Sequence, residues 1–198
     1  KGKTYPGFNQ DYKDKGFNLK LRLFQRENMP SLAVGFNDIG GTGYYSSEYL
    51  VSSYSVKNYD FHLGAAWGTL NHHDHLKNPF SYISDHFSDR NSDLDQGGQL
   101  NSNNFFSGHS FSIFGGINYL LSNNLILGIE YDPTKTPGKV GYKQRNSDVT
   151  YGLKYLRKKY TASLSMERGS NISFNISLRD DFFIPKHKFQ KSKKNITR

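Results

Sequence analysis

Gly16-Phe17-Asn18-Leu19-Lys20-Leu21-Arg22-Leu23-Phe24-Gln25 carries the first clear pattern in the chain. Phe17, Leu19, Leu21 and Leu23 fall on one side of an extended chain, and Asn18, Lys20 and Arg22 on the other. Successive side chains of a strand point to opposite faces, so the segment has one apolar and one polar side. The split recurs in Leu32/Val34/Phe36, Phe61/Leu63/Ala65/Trp67, Phe111/Ile113/Gly115/Ile117 and Leu125/Leu127/Ile129/Tyr131. It continues in Val149/Tyr151/Leu153/Tyr155, Tyr160/Ala162/Leu164/Met166 and Ile172/Phe174/Ile176/Leu178, with a weaker strand at Glu48–Val56. About nine strands are expected, and almost no helix.

Composition narrows the class. Of 198 residues only 35% are hydrophobic, which would suit a disordered chain, but 15% are aromatic, which does not. No apolar run approaches the ~18 residues of a membrane helix. The formal charge of +9 points to an anionic partner such as nucleic acid, acidic glycan or a lipid surface. Zero cysteines exclude disulfides, thiolate metal sites and Cys nucleophiles. A start at Lys1 without Met or signal peptide is expected of a mature product or an excised piece.

The links alternate in length. Short turns are expected near Lys57-Asn58, Ser122-Asn123-Asn124 and Arg157-Lys158-Lys159, and long loops over about Asn71–His109 and Asp132–Ser147. Such alternation is typical of outer-membrane barrels, although the short link at Glu167–Asn171 breaks it. Residues 1–15 read as a polar N-terminal segment, 16–183 as the β domain, and 184–198 as a basic tail, expected to be disordered, holding Lys186, Lys188, Lys191, Lys193, Lys194 and Arg198 without an acid.

The polar side separates a barrel from a soluble sandwich. It carries Gly35, Gly64, Gly68, Gly116, Gly128 and Gly152, interleaved with Ser53, Ser112, Ser163 and Ser177. Glycine inside a strand marks a bend or a close approach, as a curved wall with a crowded interior requires. The expected fold is therefore all-β, an antiparallel up-and-down meander of the outer-membrane β-barrel type. Its apolar face would meet lipid, with Tyr44, Tyr45, Tyr59, Trp67, Tyr119, Tyr131, Tyr155 and Tyr160 forming interface girdles. A soluble sandwich with those aromatics in its core is the alternative.

The stretch Met29-Pro30-Ser31-Leu32-Ala33-Val34-Gly35-Phe36-Asn37-Asp38-Ile39-Gly40-Gly41-Thr42-Gly43, followed by Ser46-Ser47-Glu48-Tyr49-Leu50-Val51, resembles the YjbH family. Asp60-Phe61-His62-Leu63-Gly64, Asn78-Pro79-Phe80, Phe114-Gly115-Gly116-Ile117-Asn118-Tyr119, Glu130-Tyr131-Asp132 and Glu167-Arg168-Gly169 extend the likeness in order, over about Phe17 to Phe182. The family comprises outer-membrane proteins of bacterial exopolysaccharide operons. Its members are longer, so the chain resembles one segment of such a protein or a truncated relative, and the barrel is either complete or partial. The resemblance implies a Gram-negative outer-membrane location, a non-enzymatic role in making or exporting a surface polysaccharide, and operon proteins as partners. No catalytic motif comes with it.

Candidate chemistry is sparse. Asp38, Gly40, Gly41, Gly43, Glu48 and Tyr49 mark the family-motif turn, where glycine supplies positive φ; no P-loop Lys-Ser/Thr or helix follows. His72, His73, Asp74 and His75, with Asp85 and His86, match no defined metal spacing, so no metal site or cofactor is expected. Glu130 and Asp132, about 7 Å apart along one polar face, have the spacing of a glycosidase pair, but ion pairs with Lys20, Arg22, Lys154 or Arg179 are the plainer account. Lys20, Arg22, His62, Glu130, Asp132, Lys154, Glu167 and Arg179 are the candidate glycan contacts of the polar wall. No nucleic-acid recognition motif accompanies the basic tail. A lipid- or polysaccharide-modifying barrel enzyme and a soluble glycan-binding sandwich remain the rival readings.

Overall fold

All nine alternating segments form strands in the computed structural model, which describes residues 16–40, 43, 45–91, 102–134 and 146–178. With one further short strand, the described strands in chain order are β1 (Phe17–Phe24), β2 (Ser31–Ile39), β3 (Ser47–Val56), β4 (Tyr59–Gly68), β5 (Leu76–Lys77), β6 (Ser110–Ser122), β7 (Leu125–Tyr131), β8 (Val149–Leu156), β9 (Tyr160–Glu167) and β10 (Asn171–Leu178). The two-residue β5 was not legible in the alternation. It pairs with β6, off a single antiparallel meander ordered β1-β2-β3-β4-β6-β7-β8-β9-β10. No described helix is long and apolar enough to cross a membrane, a statement that does not bear on strands.

The expected closure into a barrel is not present among the described residues. There, β1 pairs with β2 and β10 with β9, and each leaves an open edge. The reason is parity. Nine strands of alternating direction leave the first and last running the same way, so these two cannot form the antiparallel ladder that closes a meander. The polar terminal segments 1–15 and 184–198 lie outside the described residues.

Register places every apolar alternate on one face. One row reads Tyr54, Phe61, Ile117, Ile129, Tyr151, Met166, Ile172 across seven strands, and the next Val56, Tyr59, Tyr119, Leu127, Leu153, Leu164, Phe174. At about 4.8 Å per strand this band is roughly 29 Å wide. It is largely uncovered: Ile117 is 47% exposed, Ile129 51%, Leu164 51% and Phe174 68%. Among the described residues, buried apolar side chains are few, Val34, Val51, Ala66 and Trp67 in the strands and Pro133 just beyond β7.

Trp67 corrects one expectation. It lies on the apolar face, but it is buried rather than set in a girdle, because the β4–β6 connection folds over it. Its ring packs on Phe80, Phe106 and Phe111 with centroids 5.2–5.7 Å apart, and Phe36 packs on Phe105 and Phe106. The loop expected to be merely long and polar thus contains β5, short 3-10 turns and an aromatic core of its own. Asn78 organises it: the side chain is fully buried, donates to the carbonyls of Phe87, Phe106 and Gly108, and accepts from the Phe80 amide. Tyr44 lies outside the described residues, whereas Tyr45, Tyr59 and Tyr160 stay exposed.

Glu48 fastens this loop to the sheet. It is buried and meets Arg90 in a two-pronged pair, Nη1 to Oε2 at 2.7 Å and Nη2 to Oε1 at 3.0 Å. Oε2 also accepts from the Phe106 amide at 3.0 Å. Glu48 and Tyr49 sit in β3, as the expected Glu48–Val56 strand requires, and Asp38 in β2, so the three flank the turn of the family motif, with the ladder from Ser31↔Ser53 to Asn37↔Ser47 joining the two strands. Gly40 and Gly43 do take positive φ in the link, at +70° and +75°, and Gly41 lies outside the described residues.

Candidate functional site

The opposite face is concave and mixes polar side chains with glycine and aromatic surface. A cavity of about 780 Å³ is lined by Lys20 from β1, Asn37 from β2, Tyr49 and Ser53 from β3, His62 from β4, Asn118 from β6, Glu130 from β7, Lys154 from β8 and Ser163 from β9. In a flat sheet β1 and β9 would stand roughly 34 Å apart, seven spacings of about 4.8 Å. Their presence on one cavity shows that the sheet curls, with the small residues inside the curve.

Glycine makes the curl possible by admitting rings. A Cβ at Gly35 would lie 2.0 Å from the Tyr49 ring, and one at Gly64 would lie 2.2 Å from the Phe114 ring. Each aromatic side chain lies flat across the glycine of the neighbouring strand, and the two rings meet edge to face at 6.0 Å. Tyr49 and Phe114 are thus inward floor residues that the alternation did not single out as candidates. The available signal was an aromatic on the polar phase directly opposite a glycine, Tyr49↔Gly35 and Phe114↔Gly64.

Of the eight polar-wall candidates, the cavity brings together Lys20, His62, Glu130, Asp132 and Lys154. The Lys20 ammonium is 6.0 Å from the Tyr49 ring centre, and His62 Nδ1 is 2.9 Å from Ser53 Oγ. Arg22 shares the inner face through its pairing with Ala33, but it donates to Gln25 near the β1–β2 link and does not line the cavity. Glu167 is opposite Asn171 at the end of β9, where it accepts from Ser165 Oγ at 3.3 Å, and it too is absent from the lining. Arg179 lies outside the described residues.

Asp132 differs from its expected place and partner. It stands one residue beyond β7, and its cation is Arg168 of the β9–β10 turn rather than Lys20, Arg22 or Lys154. A strand-phase argument cannot see Arg168, because it belongs to a turn with φ of +51°. Burial pushes the Asp132 carboxyl up, but hydrogen bonds from the Thr134 hydroxyl and amide and the Arg168 guanidinium outweigh it and hold the group below its ordinary 3.8. A carboxyl held ionised in this way is unsuited to donating a proton at neutral pH.

The histidines are engaged one by one. His73 Nε2 is 2.5 Å from Asp148 Oδ2, while His75 accepts from the Ile113 amide through Nδ1 and meets Tyr131 Oη through Nε2, both at 3.0 Å. Among the described residues no group of three or more side chains is arranged to hold a metal ion.

Comparison with known proteins agrees with this architecture's sequence signature. A family model named YjbH and described as "Exopolysaccharide biosynthesis protein YbjH" matches residues 2–197. The Escherichia coli (strain K12) protein named "Uncharacterized lipoprotein YjbH" is 36% identical over 178 residues, which is 88% of this chain and 25% of that protein. The chain thus spans about a quarter of the curated relative it matches. No solved structure matches it. With the family model covering nearly its whole length, the chain belongs to the YjbH family of exopolysaccharide biosynthesis proteins.

Proposed function

We propose that this chain is part of an outer-membrane β-barrel wall of a Gram-negative bacterium that supports export of an acidic exopolysaccharide without catalysing a reaction. One observation carries the reading: the sheet is two-faced, with an uncovered apolar band seven strands wide outside and, inside, a cavity lined by charged and hydroxyl side chains together with glycine and aromatic surface. In water such a band exceeds the few-hundred-Å² apolar patches of soluble monomers, whereas lipid leaves it satisfied. β3 and β4 have ten residues and β6 thirteen, close to or above the roughly 9–11 of a tilted membrane strand. The E. coli relative's name, a lipoprotein, is consistent with an envelope location for this chain as well.

Within the cavity, Lys20 and Lys154 offer cations to a glycan carboxylate, and Glu130, Ser53 and Ser163 offer hydrogen-bonding groups to hydroxyls. Tyr49 and Phe114 present ring surface to the apolar faces of sugars. Partners in this reading are outer-membrane lipid, the acidic polymer and the other proteins of the exopolysaccharide operon.

The test has two arms. On fractionation the protein should stay with the outer membrane through an alkaline carbonate wash and need detergent for release; recovery in the wash would refute the membrane placement. Lys20→Glu with Lys154→Glu should lower polymer secretion while leaving the protein's abundance in the membrane unchanged. Unaltered secretion would refute the wall contact. Glu130→Gln should leave polymer length and lipid composition as they are, since the site is read as non-catalytic.

A further inference from the structure

The short turns gather cations at one end of the sheet. The β1–β2, β3–β4, β6–β7 and β8–β9 links share that end, and they carry Arg26, Lys57, Arg157, Lys158 and Lys159 against a single acid, Glu27. Among the described residues none of these cations pairs with a carboxylate, whereas Arg90 and Arg168 at the opposite end are both so paired. Like charges brought together without a counter-charge favour an anion from outside the chain.

The β8–β9 tip is the most firmly built part of this end. Its root is fastened to the neighbouring turn: the Leu156 amide donates to the Asn124 carbonyl, and the Asn124 side-chain amide donates to the Leu156 carbonyl, both at 2.7 Å. The Arg157 amide donates to the Tyr160 carbonyl at 2.8 Å and closes the turn. Arg157 Nε donates to Tyr155 Oη at 2.6 Å, with the guanidinium carbon 5.4 Å from the centre of that ring. The Tyr160 ring lies 6.2 Å from the Tyr155 ring. A guanidinium has more donors than these phenols can accept, so its far edge is left to a ligand, held in a fixed plane. A planar fork of this kind suits the paired oxygens of a phosphate, and Lys158 and Lys159 follow it directly.

Strand phase decides which anion reaches the fork. Tyr155 shares the outer face with Tyr151 and Leu153, and Tyr160 shares it with Ala162 and Leu164. Lys154, one position earlier, lines the cavity, and Arg157 does not. The fork therefore stands at the margin of the apolar band, on the side away from a polymer in the cavity. Arg26 is placed alike, 5.5 Å from the ring centre of Phe24, which pairs with Leu32 of the outer face.

We propose that the β8–β9 tip, with Arg157 as its fork and Lys158 and Lys159 beside it, binds the phosphodiester of an anionic phospholipid whose acyl chains lie along Leu153 and Leu164. The inference rests on the membrane reading above and adds to it a headgroup preference and an orientation. Short turns of outer-membrane barrels face the periplasm, so the bound lipid belongs to the periplasmic leaflet.

The test titrates the intact protein, purified in a non-ionic detergent, with phosphatidylglycerol and separately with phosphatidylcholine, and counts bound lipid by native mass spectrometry. Both lipids carry a phosphodiester, but only the first is anionic overall. Phosphatidylglycerol should bind at least about fivefold more tightly, the effect of one basic group at an anionic surface. Arg157→Gln, a change at an exposed turn residue, should remove that preference. Tyr155→Phe should weaken it, because every charge stays while the fork loses its anchor. Lys20→Glu with Lys154→Glu should keep it. Equal affinity for the two lipids in the parent, undiminished preference in Arg157→Gln or Tyr155→Phe, or loss of preference in the cavity variant overturns the proposal. So does displacement of the lipid by a soluble polyuronate, which would assign the tip to the polymer. Protein released by the carbonate wash refutes the membrane reading, whereas embedded protein without a headgroup preference refutes only this inference.

Discussion

Removing the Glu48 carboxylate should release the β4–β6 loop while leaving the sheet intact. The side chain is 2% exposed and Arg90 is 17% exposed, so both charges are largely out of water. In Glu48→Ala the guanidinium keeps only Ser46 Oγ and the Asn104 carbonyl, each at 2.9 Å, and the Phe106 amide loses its acceptor. Breaking a buried pair on one side costs about 3–5 kcal/mol, mostly because the remaining charge is stranded. At roughly 1.4 kcal/mol per tenfold, a cost of about 4 kcal/mol raises the open population of the loop nearly a thousandfold.

Limited proteolysis of the membrane-embedded protein reads this directly, since cleavage follows the open population when reclosing is fast. Glu48→Ala should be cut within 69–109 far faster than the parent, with the fragments held together by the sheet. Arg90→Met should behave similarly. Glu48→Met combined with Arg90→Met should recover most of the resistance, because it leaves no unpaired charge. The reasoning is refuted if Glu48→Ala accelerates cleavage less than about tenfold, or if the double variant is as labile as the sum of the singles.

Two further outcomes follow from the wall and its rim. Gly64→Ala should lower the unfolding free energy in detergent by about 1–3 kcal/mol, because its Cβ would lie 2.2 Å from Phe114 Cζ and 2.7 Å from the Leu50 carbonyl oxygen. Adding Phe114→Ala should restore only part of it, as the backbone contact stays; full restoration would show that the ring alone sets the limit. The second concerns Asp132, whose folded pKa lies below the ordinary 3.8, so its contribution to stability is complete above the unfolded value and disappears as pH falls through the folded one. The stability gap between the parent and Asp132→Asn should be flat above about pH 5 and narrow below pH 4. A gap that widens in acid would contradict the Arg168 and Thr134 assignment.

Much of the wall was readable in advance because its code is local. Phe17 to Leu23 and Ile172 to Leu178 alternate strictly, and a period of two leaves no choice about which residues share a face. The inner placement of Lys20, His62, Glu130 and Lys154 followed from that phase alone. Features outside the strands escaped it. Arg90 reaches Glu48 across 42 positions, and Arg168 reaches Asp132 across 36, each from a segment with no period. Trp67 obeyed the alternation and was still misjudged, since nothing in its own strand reveals that Phe80 and Phe106 fold back upon it.

By itself, then, the sequence determined the all-β class, the strand positions, the two faces and the membership in a family, because these depend on neighbours two residues apart or on ordered short motifs. Tertiary structure decided that the sheet curls far enough for β1 and β9 to share a cavity, that a long loop shields one end of the apolar face, and that both edges stay open among the described residues. Those outcomes depend on pairing across tens of residues, on rings seated against glycines of adjacent strands, and on the parity of the strand count. Parity is a property of the whole meander, and no single strand carries it.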